Sequence, residues 1–366
     1  MNLAKECTLR IKGVAILLLI FHHLFYNSDF VAQREIRFMI FSEFVIQPVA
    51  VGARVCVWIF VFLSAYGLAI QYEARKEKET ALQFYIRRSL SLIKAFLPAY
   101  IIVFLGYWEV RENPMNIYEH SIIKMLMDAF GIADIFGMPM LSAVWWYMGL
   151  AQVIVISVPV LVLFCRKFGL GSFLIGFIIL QFLPDGIHSN FGGRYLNYLL
   201  VMILGVCCTQ GALIENVLKK RKKMRNRILE IVGLLIGTII LLTVKIKTSA
   251  FDVWQIGGLV TGIAAFFIVV LVSKYFDAKP IDRVLSLLGK YSGNMFMVHA
   301  FLYGPCKVLI FWSKNAIISY LTLVVLSLVI SIIIEIFKKM IRYDKWSGRL
   351  IEIIVDAVHP HKAVEV

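Results

Sequence analysis

Long, nearly unbroken runs of apolar residues dominate this chain and leave it few ways to fold. Ile231 to Leu242 and Ile317 to Ile334 are two of them, set off from their neighbours by short polar stretches. About 20 mainly apolar residues carry a helix across the hydrocarbon core of a bilayer, where backbone polar groups must satisfy one another. Counting the runs predicts about ten such helices, near 11–28, 47–71, 90–108, 143–164, 168–184, 195–214, 228–246, 256–275, 286–309 and 316–337. The expected fold class is therefore all-α: a polytopic membrane helix bundle forming one domain over residues 1–366. Composition agrees, with 60% hydrophobic and 17% charged residues, against roughly 25% charged in soluble domains.

A net charge of +15 would suit a nucleic-acid binder, but its placement does not, and no nucleic-acid partner is expected. The Lys and Arg residues sit between apolar runs. They gather at the N-terminus, in the EARKEKET loop, at Arg166 and Lys167, in the KKRKKMRNR run, between Lys274 and Arg283, and after Phe337. Those segments hold about 26 basic residues, and the alternate connections about 9, a bias that places the basic loops in the cytoplasm. An even helix count with both termini cytoplasmic follows. Lys5, Arg10 and Lys12 ahead of an apolar run imitate a signal peptide, but no small-residue cleavage site follows. The segment reads as a retained first helix. The KKRKKMRNR run reads as a solvated loop near anionic lipid heads. In the longest outer connection, 109–142, the stretch from Ile117 to Phe130 reads as an interfacial helix. Six cysteines form no CxxC pair and lie mostly in apolar runs, so they read as buried thiols, and no metal site is expected.

Ionisable residues inside the apolar runs mark function, because each costs several kcal/mol at the bilayer centre. They are His22, His23, Arg54, Lys94 and His299. In the first helix Lys12 and His23 are eleven residues apart, which brings them within about 20° of one face and about 16 Å apart along the axis. Arg10 lies about 140° from His23 and reads as a headgroup anchor; His22 lies about 100° away and reads as a packing residue. The geometry selects His23. A cation at the inner surface with an imidazole three turns deeper suits an acyl-coenzyme A: the cation meets phosphate, and the imidazole takes a proton from an attacking hydroxyl. A hydrogen-bonded histidine gluing two helices is the competing role.

Two further constellations carry polar groups. In FYIRRSLSLIKAFLPAY, Arg87 and Arg88 open a helix and Lys94 follows one to two turns deeper. Ordinary flanking charge explains the two arginines, and lysine can snorkel outward. In LLGKYSGNMFMVHAFLYG, Ser292, His299 and Tyr303 share a stripe that either glues helices or lines a pocket. Arg54 reads equally as an interfacial or a functional residue. Trp145, Trp146 and Tyr147 read as an aromatic belt, with sugar stacking as the lesser alternative.

Four segments in order along the chain resemble the acyltransferase-3 family of multipass membrane acyltransferases. IKGVAILLLIFHHLF is similar to the family's first helix, in which a basic residue precedes the catalytic histidine by ten intervening residues. FVFLSAYGLA, FYIRRSLSLIKAFLPAY and LLGKYSGNMFMVHAFLYG are similar to its phenylalanine-rich, arginine-rich and late-helix segments. The resemblance implies His23 as catalytic residue and Lys12 as its basic partner, and puts the family's paired arginines at Arg88 and Ser91, with Lys94 one turn on as the replacement charge. With the residue reading above, Lys12, Arg87, Arg88 and Lys94 are the expected donor-binding residues and His22, Ser292 and His299 the expected pocket residues. It implies transfer of a short acyl group, commonly acetyl, from cytoplasmic acyl-CoA, a donor substrate rather than a bound cofactor. The acceptor it implies is a hydroxyl of a cell-surface glycan or its lipid-linked precursor, at a bacterial cytoplasmic membrane, with membrane lipid as the surrounding partner. Three positions depart from the pattern: Lys12 and Ser91 stand where the family favours arginine, and Ala65 where it favours glycine. A transporter is the rival from another class, since membrane His and Lys also relay protons.

Overall fold

The computed structural model describes the chain except residues 1, 2, 4, 111–112, 185–186, 188–192, 211–212, 220–222, 250–253 and 359–366. The centre of the KKRKKMRNR run thus lies outside the described residues. Among those described the protein is all-helical, with no strand and a single isolated bridge between Arg37 and Asn315. The helices that matter below are α1 (Lys5–Phe25), α2 (Glu43–Gly52), α3 (Cys56–Arg75), α4 (Ala81–Val110), α5 (Ile122–Ala129), α6 (Trp146–Phe168) and α7 (Gly171–Gln181). After them come α8 (Leu199–Cys207), α9 (Met224–Ser249), α10 (Trp254–Tyr275), α11 (Lys279–Tyr303), α12 (Ala316–Met340) and α13 (Tyr343–Val358).

Helix forms at all ten expected places, but not always at spanning length. Seven helices among the described residues are long and apolar enough to cross a membrane: Lys5–Phe25, Glu43–Arg75, Ala81–Val110, Ala143–Phe168, Met224–Lys247, Trp254–Tyr275 and Ala316–Met340. The runs at 168–184 and 195–214 contain only the shorter apolar helices Gly171–Gln181 and Gly193–Cys207. Helix α11 is 25 residues long, but Lys279, Asp282, Arg283 and Lys290 dilute its first half. The span Glu43–Arg75 is broken into α2 and α3 by a 3₁₀ turn at Ala53–Val55, in which Arg54 lies.

Helix α1 packs against α3, α10, α11 and α12, and Ile11, Ile16, Leu19, Ile20 and Leu24 on it are buried. Its contact with α11 is set by two glycines. A side chain on Gly13 would strike the backbone carbonyl of Leu285, and one on Gly289 the backbone carbonyl of Leu9. Small residues that let two backbones touch are how helices associate in lipid, where burial of apolar surface gives no net drive. The contact fixes the register of two parallel helices, and the first turn of α11 adds Asp282, whose Oδ1 lies 3.4 Å from Arg10 Nε. Arg10 is therefore nearly buried and ion-paired, not a headgroup anchor. A second close approach accounts for Ala65: Gly205 on α8 lies against the Phe62 carbonyl and the Ala65 methyl. The missing side chain is supplied from across the interface.

Two amphipathic pieces lie outside the spanning helices. Helix α13 buries Tyr343, Ser347, Ile351 and Val355 against α4, and exposes Trp346, Leu350 and Ile353. In the 109–142 connection the helix is shorter than Ile117 to Phe130, covering only Ile122–Ala129. It is held by buried Asp128, whose Oδ2 accepts 2.7 Å hydrogen bonds from Leu141 N–H and the Tyr118 hydroxyl. Burial pushes this carboxyl up to about 6, against the lowering effect of both donors.

Candidate active site

Two cavities lie along α1, one at each end of the face that carries Lys12 and His23. The first, about 370 Å³, is bounded by α1, α3, α4 and α6. Lys12 and Arg88 line it with Thr8, Ser64, Gln71 and Ser91, and no acidic residue is in its lining. Neither Lys12 nor Arg88 forms a salt bridge among the described residues, and the Arg88 Nε is buried without a hydrogen-bond partner there. Two cations with free donors and no carboxylate make a site for an anion.

The second cavity, about 310 Å³, is lined by His22, His23, Tyr26, Arg54, Trp146 and Tyr147 among others, again without an acidic residue. His22 is committed: its Nδ1 donates to the Ala50 carbonyl at 2.8 Å, and its ring stacks on Tyr26 at 4.7 Å. His23 is not. No hydrogen bond holds its ring among the described residues, and its neighbours are the rings of His299 at 5.1 Å and Tyr303 at 6.1 Å. Arg54 brings the positive charge at this end and hydrogen-bonds the Tyr198 hydroxyl.

Tyr147 stands between the two cavities. It lines the His23 cavity, packs 5.3 Å from the Phe296 ring, and directs its hydroxyl to Ser64, which lines the Lys12 cavity. The expected aromatic belt is thus dismantled. Trp145 is 1% exposed and donates from Nε1 to the Met297 carbonyl at 3.0 Å, Trp146 walls the His23 cavity, and Tyr147 is a partition. Only the motif FVFLSAYGLA gave any hint of Ser64, and nothing in sequence marked Tyr147 as buried.

The remaining expected site residues separate. Arg87 pairs with Glu79 at 2.9 Å and with Glu352 of α13, and Lys94 pairs with Asp344 at 3.2 Å. Both fasten α13 to α4, and neither lines the Lys12 cavity. Helical phase is the reason: Arg87 and Lys94 are seven residues apart and share a stripe, from which Arg88 is turned by about 100°. Ser91 lines the cavity but cannot supply the missing charge; its hydroxyl donates to the Arg87 carbonyl at 2.7 Å. Ser292 is buried and bonds back to the Gly289 carbonyl at 2.9 Å. His299 is wholly buried behind His23. Larger hollows lie elsewhere, an 810 Å³ basic cleft between α11 and α12 and an apolar 520 Å³ groove on the flank of α1.

A family model described as an acyltransferase domain, that of acyltransferase-3, matches residues 10–336. The chain belongs to the acyltransferase-3 family. The match covers all four segments singled out above and nearly the whole chain. Searches of curated proteins and of solved structures give no match. With seven apolar helices of spanning length, this acyltransferase-3 protein is a multipass membrane acyltransferase.

Proposed function

We propose that this protein moves a short acyl group, acetyl in the simplest case, from cytoplasmic acyl-CoA to a hydroxyl of a cell-surface polysaccharide or its lipid-linked precursor. The Lys12 end then faces the cytoplasm, with ten helices crossing the cell membrane and both termini inside. One observation carries the reading: an unpaired cationic cavity and a histidine cavity lie in series along α1, about 16 Å apart, with Tyr147 between them.

In this mechanism Lys12 and Arg88 hold the phosphates of the donor, and Gln71, Ser64 and Ser91 offer hydrogen bonds to the pantetheine amides. A cavity of this size takes the arm and leaves the nucleotide at its mouth. The thioester passes Tyr147 to reach His23. The acceptor hydroxyl gives its proton to the free imidazole nitrogen as its oxygen attacks the thioester carbonyl. The tetrahedral intermediate collapses with cleavage of the C–S bond, and the imidazolium returns the proton to the leaving thiolate. Arg54 stands where it can stabilise the oxyanion or orient a sugar, and Trp146 lines the same cavity.

The test is the full-length protein in proteoliposomes with isotope-labelled acetyl-CoA inside and a lipid-linked glycan extract in the membrane. Transfer of label to glycan in wild type, and its loss in His23→Ala, is the expected outcome. Solute flux without consumption of acetyl-CoA would instead establish a transporter.

A further inference from the structure

A histidine acting as a base needs a partner on its second nitrogen, to fix the tautomer and to stabilise the imidazolium as it forms. Enzymes commonly use a carboxylate. Here no acidic residue lines the His23 cavity, and the groups facing His23 are His22, Tyr26, Arg54, His299 and Tyr303. His22 is as near, at 5.1 Å, and also donates from Nδ1 to a carbonyl, that of Ala50, but it lines the cavity and its Nε2 is not left buried without a partner. Arg54 is a cation, which cannot accept from an imidazole.

His299 is different. Its Nδ1 lies 2.7 Å from the Phe296 carbonyl oxygen, which can only accept, so Nδ1 carries the proton. In the neutral ring Nε2 then holds the lone pair, and that nitrogen is buried with no hydrogen-bond partner among the described residues. A buried acceptor left unsatisfied is costly and rare. The polar ring nearest to it is His23, centre to centre 5.1 Å. The two rings are not hydrogen-bonded in this conformation, but an imidazole nitrogen sits about 1.1 Å from its ring centre, so reorienting the His23 ring at this spacing can bring the nitrogens as close as about 2.9 Å, a hydrogen-bond length.

We propose that His299 is the positioning residue of the active site: its Nε2 accepts a hydrogen bond from the His23 ring and leaves the other His23 nitrogen unprotonated toward the cavity. The pair is built from the top down by the α1–α11 contact. Gly13 against Leu285 and Gly289 against Leu9 set the register, and His299, ten residues beyond Gly289, arrives beside His23. His299 is 0% exposed and absent from the cavity lining, so it does not touch the acceptor and acts only through His23. The proposal rests on the transferase reading for its catalytic consequence, while the pairing of the two rings can be tested in the resting protein.

Two measurements test it. In full-length protein labelled with ¹⁵N-histidine in lipid, with resonances assigned from His23→Gln and His299→Gln samples, His299 is expected to show a protonated Nδ1 and an unprotonated, hydrogen-bonded Nε2. The opposite tautomer, or a His299 Nε2 shift unmoved by His23→Gln, overturns the pair. In transfer assays His299→Leu, which removes the acceptor, is expected to lower kcat about 10- to 100-fold with KM for both substrates within about twofold. His299→Gln, whose amide oxygen falls near the position of Nε2, is expected to recover most of that loss. A His299→Leu protein with wild-type kcat, or a loss expressed in KM alone, overturns the positioning role. If His299→Leu fails to fold, the wild-type spectrum and the His299→Gln kinetics decide. Wild-type protein that shows the paired spectrum but transfers no acyl group would sink the transferase reading and leave the pair standing.

Discussion

The two ends of α1 are built on opposite plans. At the Lys12 end the cavity holds free charge: Lys12 and Arg88 line it, no acid answers them, and the hydroxyl and amide groups of Thr8, Ser64, Gln71 and Ser91 share the rest of the wall with apolar side chains. At the His23 end Arg54 brings one charge, but the groups around the histidine are rings, packed with centroids 4.7 to 6.3 Å apart and backed by the buried His299. Charge left unpaired suits a ligand that brings its own anions and leaves again. A ring held among rings suits a group whose orientation and proton must be controlled. On the proposed function, the difference divides binding from chemistry along one helix, with Tyr147 and Ser64 at the boundary.

The sharpest way to break that division is at the histidine end. His23→Ala is expected to lower kcat for acyl transfer by about 10²- to 10⁴-fold with little change in KM for acyl-CoA, whereas His22→Ala loses less than about tenfold. Equal losses in steady-state assays would mean the two rings share the work. Next comes the contact that holds the ends in register. Gly289→Leu puts a side chain into the Leu9 carbonyl, and should lower thermal stability in detergent by about 1–3 kcal/mol or more. Transfer activity should fall with it even though no site residue has changed.

At the cationic end smaller effects are expected. Lys12→Ala should raise KM for acyl-CoA about tenfold, matching the loss of one charge-assisted contact, with kcat largely kept; Lys12→Arg should restore it. Arg88→Ala should behave like Lys12→Ala, whereas Arg87→Ala and Lys94→Ala, which free α13 from α4, should leave KM within about twofold. A KM increase for Lys94→Ala as large as that for Lys12→Ala would return Lys94 to the donor site.

The smallest effect lies outside both cavities. Asp128 has its carboxyl raised to about 6 by burial, so the stability it contributes is full below its unfolded value and is lost as pH rises through about 6. Asp128→Asn keeps an acceptor for Leu141 and Tyr118 but cannot ionise. It should therefore raise stability at pH 7.5, by about 1–3 kcal/mol, and lose that advantage near pH 4. A difference independent of pH would show that the carboxyl titrates alike in the folded and unfolded chain, so that burial does not raise it.

Much of this was legible in the chain. The apolar runs dictate helices at all ten places because a bilayer tolerates little else, and helical phase alone separates His23 from His22 and aligns it with Lys12. The same arithmetic would have split Arg88 from Arg87 and Lys94, but only a partner can say which face matters. Arg10 shows the limit. Its distance in phase from His23 was readable, yet the burial that makes it an ion-pair partner of Asp282 depends on where α11 lies. Tyr147 and Trp145, at the start of a helix, looked interfacial because sequence gives depth along one helix and not what leans over it.

The sequence by itself determined that this is a helical membrane protein with a basic residue and a histidine on one face of its first helix, because hydropathy and the 3.6-residue repeat are local properties. The tertiary structure alone decided that Arg88 and not Lys94 joins Lys12, that Tyr147 parts two cavities, and that His299 stands behind His23. Those facts depend on which backbones touch. In lipid that is set by the space at Gly13, Gly289 and Gly205, a complementarity between distant segments that no single stretch of sequence contains.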